Sequence, residues 1–225
     1  MMTSTTPEAL NKRSFVYRKM TGATFSPVAG GAIALDVLSD RKQAERAGLL
    51  DLSVLSRRGF RGTKAVMHLE ALQLPVPIKP NLASTTENGE LVLRLSQKEF
   101  WVLGSLQDKG ASIDTLDQCT LPADNCYSLF CQDSHAWLML TGAHLPEIMA
   151  KVCGVDLREH GFPQGAIAQT SAARINVIVI HHQLKGIPCF SILCDSAAAE
   201  YLWDCLMDAM GEFGGKAIGI SALVE

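Results

Sequence analysis

Three groups of residues in this chain could do chemistry: six histidines, seven cysteines and one dense basic run. His181 and His182 stand together at the end of an apolar stretch, Ile175 to Ile180, broken by Asn176. Adjacent residues of a strand face opposite sides, so the pair cannot both enter one site. They read as strand-end and turn residues. His135, His144 and His160 are scattered, with no H-E-x-x-H or H-x-x-E-H spacing, so no metal site is expected. The cysteines are Cys119, Cys126, Cys131, Cys153, Cys189, Cys194 and Cys205, an odd number with no C-x-x-C. Two C-x4-C pairs, Cys126/Cys131 and Cys189/Cys194, fall in strand-like segments that turn their members to opposite faces. These cysteines read as buried thiols in a reducing compartment.

Nucleophilic and phosphate-binding patterns add nothing. There is no G-x-S-x-G, and Cys153 before Gly154 reads as packing. The glycines at 30–31, 59–62 and 211–215 form neither G-x-G-x-x-G nor a P-loop, so no nicotinamide or flavin is expected on this chain. The basic run Arg57, Arg58, Arg61 and Lys64 has the charge to hold a phosphate or a polyglutamate tail. Its plainer reading is a solvated strand edge and helix start. Trp101, Trp137 and Trp203 lie inside periodic segments and read as core.

What must position these residues is a fully globular chain. Of its 225 residues, 48% are apolar and 19% charged, which excludes whole-chain disorder. The net charge of −3 argues against a non-specific nucleic-acid binder. No apolar run approaches about 18 residues, so no membrane span is expected. The start of the chain, Met1 to Ala9, lacks the apolar core of a secretory signal, and a cytoplasmic protein is expected. Residues 1–13 are polar and read as a disordered tail; 14–225 form the folded region.

That region repeats itself. Leu49 to Ser53, the turn Gly59 to Ala65 and a helical stretch Val66 to Leu74 correspond to Ala136 to Leu140, the turn Thr141 to His144 and a helical stretch Leu145 to Val155. Each is followed by a hairpin: Glu90–Leu95 with Glu99–Gly104, and Arg174–Ile180 with Pro188–Cys194. Helical stretches Leu106–Leu116 and Ala197–Phe213 come next, the latter capped by Ser196 and ended by Gly214-Gly215. Strands Tyr127–Cys131 and Ala217–Ile220 close the repeats, and an extra strand, Gly165–Thr170, precedes the second hairpin. The fold class is therefore α+β: two tandem ferredoxin-like β-α-β-β-α-β units, repeat one at about 48–132 and repeat two at about 135–222.

Several segments carry a resemblance. Ala47-Gly48-Leu49-Leu50-Asp51-Leu52-Ser53 is similar to "AGLFDLS", and Gly22-Ala23-Thr24-Phe25 to an opening strand, of the aminomethyltransferase (glycine-cleavage T-protein) folate-binding superfamily. Trp137 to Ala143 resembles its "xALQGPxA". Tyr201-Leu202-Trp203-Asp204 with Leu206 and Glu212-Phe213-Gly214 resembles its "LWDALLxAGxxFG". A narrower block, Gly161 to Thr170 running on through Ala173 to Ile178, resembles the gamma subunits of heterotetrameric sarcosine oxidases. The resemblance implies a T-protein-like folate-binding-type domain without the superfamily's C-terminal barrel.

The departures matter as much. The superfamily has an Asp-Asp pair before a strand that here reads Glu90 to Leu95, and its places are held by Asn88 and Gly89. A "GYTGEDGFE" hairpin, whose glutamate binds the pterin ring, is matched by His182 to Phe190, which contains no carboxylate. The resemblance then implies a non-catalytic accessory subunit with no catalytic residue, metal or cofactor of its own. Its partners would be the other subunits of a sarcosine-oxidase-type complex, chiefly the large subunit. Flavin and tetrahydrofolate would sit on those partners. Asp51, Glu90 and Arg94 would mark a vestigial pocket. Two rivals remain: a stand-alone folate-binding module, although "KGCYxGQE" is absent and Lys151-Val152-Cys153-Gly154 does not reproduce it; and a degenerate aminomethyltransferase, should Glu87 or Glu90 enter the pocket.

Overall fold

A computed structural model describes residues 4–37 and 40–224. In chain order the strands and helices are β1 (Thr24–Val28), β2 (Gly31–Asp36), α1 (Arg41–Arg46), β3 (Gly48–Asp51), β4 (Arg57–Arg61), α2 (Ala65–Ala71), β5 (Leu82–Thr85), β6 (Leu91–Arg94) and β7 (Glu99–Leu103). There follow α3 (Ala111–Gln118), β8 (Tyr127–Leu129), β9 (His135–Thr141), α4 (Leu145–Ala150), β10 (Ile167–Ala172), β11 (Ile175–Leu184), β12 (Ile187–Asp195), α5 (Ala199–Met210), β13 (Lys216–Ala217) and α6 (Ser221–Val224). They fall into two compact units. One spans Met1–Val54, His135–Gln164 and Ala168–Glu225; the other spans Leu55–Ser134 with Gly165–Ile167.

The second unit holds a five-stranded sheet in the order β5-β6-β7-β4-β8. Setting aside β5, the sequence β4-α2-β6-β7-α3-β8 gives the split βαβ arrangement, with the first strand flanked by the third and the fourth. The β6–β7 hairpin pairs Leu93 with Trp101 and Arg94 with Phe100. One face of the sheet, carrying Phe60, Val92, Phe100 and Val102, packs with Ala65 and Leu69 of α2 and Ile113 of α3 into a buried core. Leu74 and Leu116 cover that core from the helix side.

The first unit repeats this order in β9-α4-β11-β12-α5-β13, with one change. Its six-stranded sheet runs β10-β11-β12-β9-β3-β13, so β3 is wedged between the repeat's first and last strands. β3 pairs antiparallel with β9, Leu50 against Met139, and β13 runs parallel to β3, Lys216 against Gly48. Every residue of β3 is buried, as a central strand's continuous apolar run requires. β1 and β2 make a separate hairpin.

The expected boundary of repeat one is therefore corrected. The strand near 49–53 belongs to the other unit's sheet, and the repeat's true first strand is the arginine-rich β4. This segment lies between β7 and β8 in the sheet, not at an edge. The matching of Gly62 with Gly142 holds. Each has positive φ, +144° and +111°. Each N–H donates to a carbonyl at the start of its repeat's third strand, Gly62 to Lys98 at 2.8 Å and Gly142 to Pro188 at 3.0 Å. A Cβ at either would fall inside the backbone of Asn125 or Arg46. The two glycines do the same job at the same strand-to-helix turn.

Smaller expectations also shift. The residues expected to form a disordered tail are tied down from Thr5 onward: Thr5 N–H donates to Phe25 O at 3.0 Å, Lys12 bridges Gly31, and Pro7 is buried. Residues 1–3 lie outside the described residues. Ser196 does not cap the last long helix: Asp195 caps a 3-10 turn at Ser196–Ala198, accepting from Ala197 N–H at 2.8 Å, and α5 follows with Ala198 at its N-cap and no side-chain cap. The closing strand is β13, ahead of the expected Ala217–Ile220. Among the described residues no helix is long and apolar enough to cross a membrane.

Candidate functional site

The three residues expected to mark a vestigial pocket are divided between the units. Asp51 ends β3 in the first unit, while Glu90 precedes β6 and Arg94 ends it in the second. Asp51 is buried; one oxygen accepts the Ser14 hydroxyl and the other accepts Ser53 N–H at 3.0 Å. It fastens the segment around residue 14 and turns the chain out of the sheet. Arg94 donates to Pro77 O at 2.9 Å and Ile78 O at 3.0 Å, and its guanidinium lies 5.3 Å from the centre of the Phe100 ring. It pins a loop.

Glu90 is different. It is only 3% exposed and lines a groove of about 730 Å³ on the helix side of the second unit. Its lining comes from the segment that follows α2, with Leu74, from α3, with Leu116, and from Val102 of β7. The Thr86 hydroxyl donates to one Glu90 oxygen and accepts Glu90 N–H at 3.1 Å. The other oxygen, Oε1, and the Ser112 hydroxyl are buried, and the Asp108 carboxyl is the polar neighbour of both side chains. Asp108 accepts Gly110 N–H at 2.9 Å and Ser112 N–H at 2.8 Å at the start of α3. Partial burial pushes the Asp108 pKa up, but hydrogen bonding from Ser112, the Gly110 and Ser112 amides, and the Glu90 carboxyl outweighs this and holds it below the usual range.

The basic run does not form an anion site. Arg57 is buried and donates to the Cys131 carbonyl at 3.1 Å and to the Gln132 carbonyl. Arg58 pairs with Asp117 at 2.9 Å, Arg61 with Glu99, and Lys64 with Asp124. With each charge answered inside the unit, an arginine-rich strand can lie within a sheet.

The histidine pair is likewise within a strand, not at its end, since β11 continues to Leu184. The two rings do face opposite ways. His181 Nδ1 lies 2.8 Å from Phe162 O, and its ring meets Phe162 and Phe190. His182 Nε2 lies 2.8 Å from Ser191 Oγ, which also accepts Trp137 Nε1–H at 2.9 Å. Burial pushes the His182 pKa down to about 4, so at neutral pH the ring is uncharged. Ser191 then accepts from the indole and donates to Nε2. This serine is fully buried, so the chain of hydrogen bonds is a structural network and not a nucleophile open to substrate. The network was legible in principle. Counting back from the turn at Gly186 pairs Ile180 with Ser191 and His182 with Cys189, placing both polar residues on one face.

No group of three or more metal-ligating side chains occurs among the described residues. Burial pushes the Cys131 thiol up to about 11 and those of Cys189 and Cys194 up to about 12, as inert packing residues. The positions where the resemblance places acids carry none, although Glu87 stands beside Asn88 in the first turn. Asn88 and Gly89 belong to a turn that starts at Thr86, with Gly89 N–H donating to Thr86 O at 3.1 Å. Lys185 and Gly186 form the other, both with positive φ.

Comparison with known proteins agrees with this architecture. A search of curated protein sequences finds no match. A chain of the heterotetrameric sarcosine oxidase from Corynebacterium sp. U-96, solved in complex with pyrrole 2-carboxylate, is similar with a TM-score of 0.64 and 23% identity. The likeness covers 78% of this chain and 89% of that one. The glycine cleavage system aminomethyltransferase T from Bartonella henselae is similar with a TM-score of 0.71 and 19% identity, over 94% of this chain and 60% of that one. This chain thus spans less than two thirds of the aminomethyltransferase. The sequence profile of the GCVT N-terminal domain matches residues 40–225. With that profile spread over both repeats, the chain belongs to the GCVT N-terminal domain family.

Proposed function

We propose that this protein is a non-catalytic, gamma-type accessory subunit of a complex that oxidatively demethylates N-methyl amino acids and passes one-carbon units to tetrahydrofolate. It docks in the cytoplasm against a T-protein-like domain of the large subunit. Flavin and tetrahydrofolate are held by the partner subunits, and this chain carries neither. The observation that carries the reading is the pairing of a retained double-repeat fold with two turns whose matched acid positions are filled by other residues, Asn88-Gly89 and Lys185-Gly186. A pterin's amino-pyrimidine edge presents adjacent donors, for which a carboxylate is the matching two-oxygen acceptor. Of the other acids singled out by sequence, Asp51 is engaged with Ser14 and Glu90 with Thr86, while Glu87 is exposed at the turn beside Asn88. Likeness to a chain of heterotetrameric sarcosine oxidase over 89% of that chain's length supports the class of partner.

Affinity purification of the tagged chain from its native host tests this. Stoichiometric recovery of a flavin-coloured large subunit is the expected result, with no tetrahydrofolate bound by the free chain in a calorimetric titration. A clean monomer or homodimer without a flavoprotein would overturn the proposal. Tight tetrahydrofolate binding by that species would make it a self-sufficient folate-binding module.

A further inference from the structure

The hairpin tip between β5 and β6 carries chemistry that the accessory-subunit reading leaves unused and that stands whether or not that reading holds. Of the five asparagines in the chain, Asn11, Asn81, Asn88, Asn125 and Asn176, only Asn88 is followed by glycine. The backbone nitrogen of the next residue can attack an asparagine's side-chain carbon, Cγ, and close a five-membered ring. A side chain on that next residue obstructs the approach. Lys12, Leu82, Cys126 and Val177 follow the other four asparagines, whereas Gly89 puts nothing in the way. The turn itself requires this glycine. Thr86 N–H donates to Glu90 O at 3.0 Å and Gly89 N–H to Thr86 O at 3.1 Å, closing a loop of three residues, 87–89. Gly89 lies at φ +88°, the left-handed conformation with which such loops end.

The side chain of Asn88 is free to react. It is exposed and makes no hydrogen bond among the described residues, whereas Asn125 Nδ2 donates to Asp124 at 3.0 Å and Asn176 lies within β11. The brake is on the attacking group. In the closed turn the Gly89 N–H is held by Thr86 O, so the reaction waits for the tip to open, a local motion of low cost at an exposed loop. We propose that Asn88 is a deamidation site gated by this turn. On opening, the Gly89 nitrogen loses its proton and bonds to Asn88 Cγ. The Cγ–Nδ2 bond breaks, and that nitrogen leaves as ammonia with the proton. Water then opens the ring at either carbonyl, leaving an aspartate or an isoaspartate at position 88 and restoring the Gly89 N–H. The balance is one water in, one ammonia out and one negative charge gained, with no change of oxidation state. The new carboxylate stands between Glu87 and Glu90 along the groove of the second unit. It falls at one of the two turns on which the accessory-subunit reading depends, so the tetrahydrofolate titration has to use protein free of the converted form.

The test ages the folded full chain in mildly alkaline buffer and follows each asparagine by peptide mass mapping. The peptide bearing Asn88 should gain about 1 Da, the exchange of an amide NH2 for a hydroxyl. It should do so at least several-fold faster than the peptides of the other four asparagines. Two products should separate, one of them co-eluting with the peptide of an Asn88→Asp variant. Asn88→Gln, whose longer side chain would have to close a six-membered ring, should form no acidic species at this position on the same timescale. Thr86→Val removes the hydroxyl that accepts Glu90 N–H at 3.1 Å, and should loosen the turn and speed the conversion several-fold. Should Asn88 convert only in chain unfolded by urea, the closed turn locks the residue and the proposal falls. It falls equally if another asparagine converts as fast in the folded chain, or if Thr86→Val converts no faster than the parent, since the turn is then not the gate.

Discussion

Acid should weaken this protein in part through one residue, His182. Its ring is buried and neutral, with a pKa pushed down to about 4 from the usual 6.5. Between those two values the unfolded chain holds a proton that the folded chain does not. The stabilisation from keeping the ring neutral is therefore complete above about pH 6.5 and is lost as the pH falls toward about 4. The gap between the two values corresponds to about 3 kcal/mol in all, of which about 2 kcal/mol is gone by about pH 5. The assay is urea unfolding at about pH 7.5 and about pH 5, comparing the parent with His182→Gln, in which the amide oxygen can still accept from Ser191. Other titrating groups respond alike in both proteins and cancel in the comparison. The parent should lose about 2 kcal/mol more than the variant over this interval. Equal losses in both would refute the reasoning, and with it the neutral Trp137–Ser191–His182 chain.

The packing yields two further expected outcomes. Gly62→Ala and Gly142→Ala should each destabilise by more than about 2 kcal/mol, because each combines a strained φ with a collision against backbone that cannot move aside. Gly154→Ala, with open space at its Cβ, should stay within about 0.5 kcal/mol, and thermal melts of the three variants make the comparison. Arg94→Ala should release the loop it holds at Pro77 and Ile78 and cost about 1–2 kcal/mol. Limited proteolysis should then cut near Ile78 at least several-fold faster, while equal cutting rates would mean that the loop is held by other contacts.

The repeat was legible because periodicity and punctuation agreed. Alternation at Leu91, Leu93 and Leu95, the helical stripe through Leu202, Trp203 and Leu206, and glycines at Gly62 and Gly142 each reported a local requirement of the backbone. The identity of the first strand was not legible. A run of three arginines in five residues reads as surface, and only tertiary partners make it a sheet strand: Asp117, Glu99 and the carbonyls of 131–132. Those partners lie far along the chain, so no window of local sequence could report them. The same limit hid the groove. Glu90 looked like a near-miss for a lost acid pair, whereas its position relative to Val92 places it on the face that α2 and α3 cover.

The placement of β3 links the fold to its chemistry. Within a plain split βαβ unit, the repeat's first and last strands are neighbours. Here β3 separates β9 from β13, and its last residue, Asp51, sits where the chain leaves the sheet. An acid at that point can serve a ligand only if the fold does not need it. Ser14 and Ser53 take both of its oxygens, and the Ser14 hydroxyl oxygen in turn accepts Val16 N–H at 3.0 Å, so the carboxylate is the centre of a chain-fastening network. The motif around Asp51 can therefore persist for structural reasons alone. Resemblance at "AGLLDLS" speaks for the wedge strand and its anchor, whereas ligand chemistry has to be judged at the turns 88–89 and 185–186, where no such structural demand retains an acid.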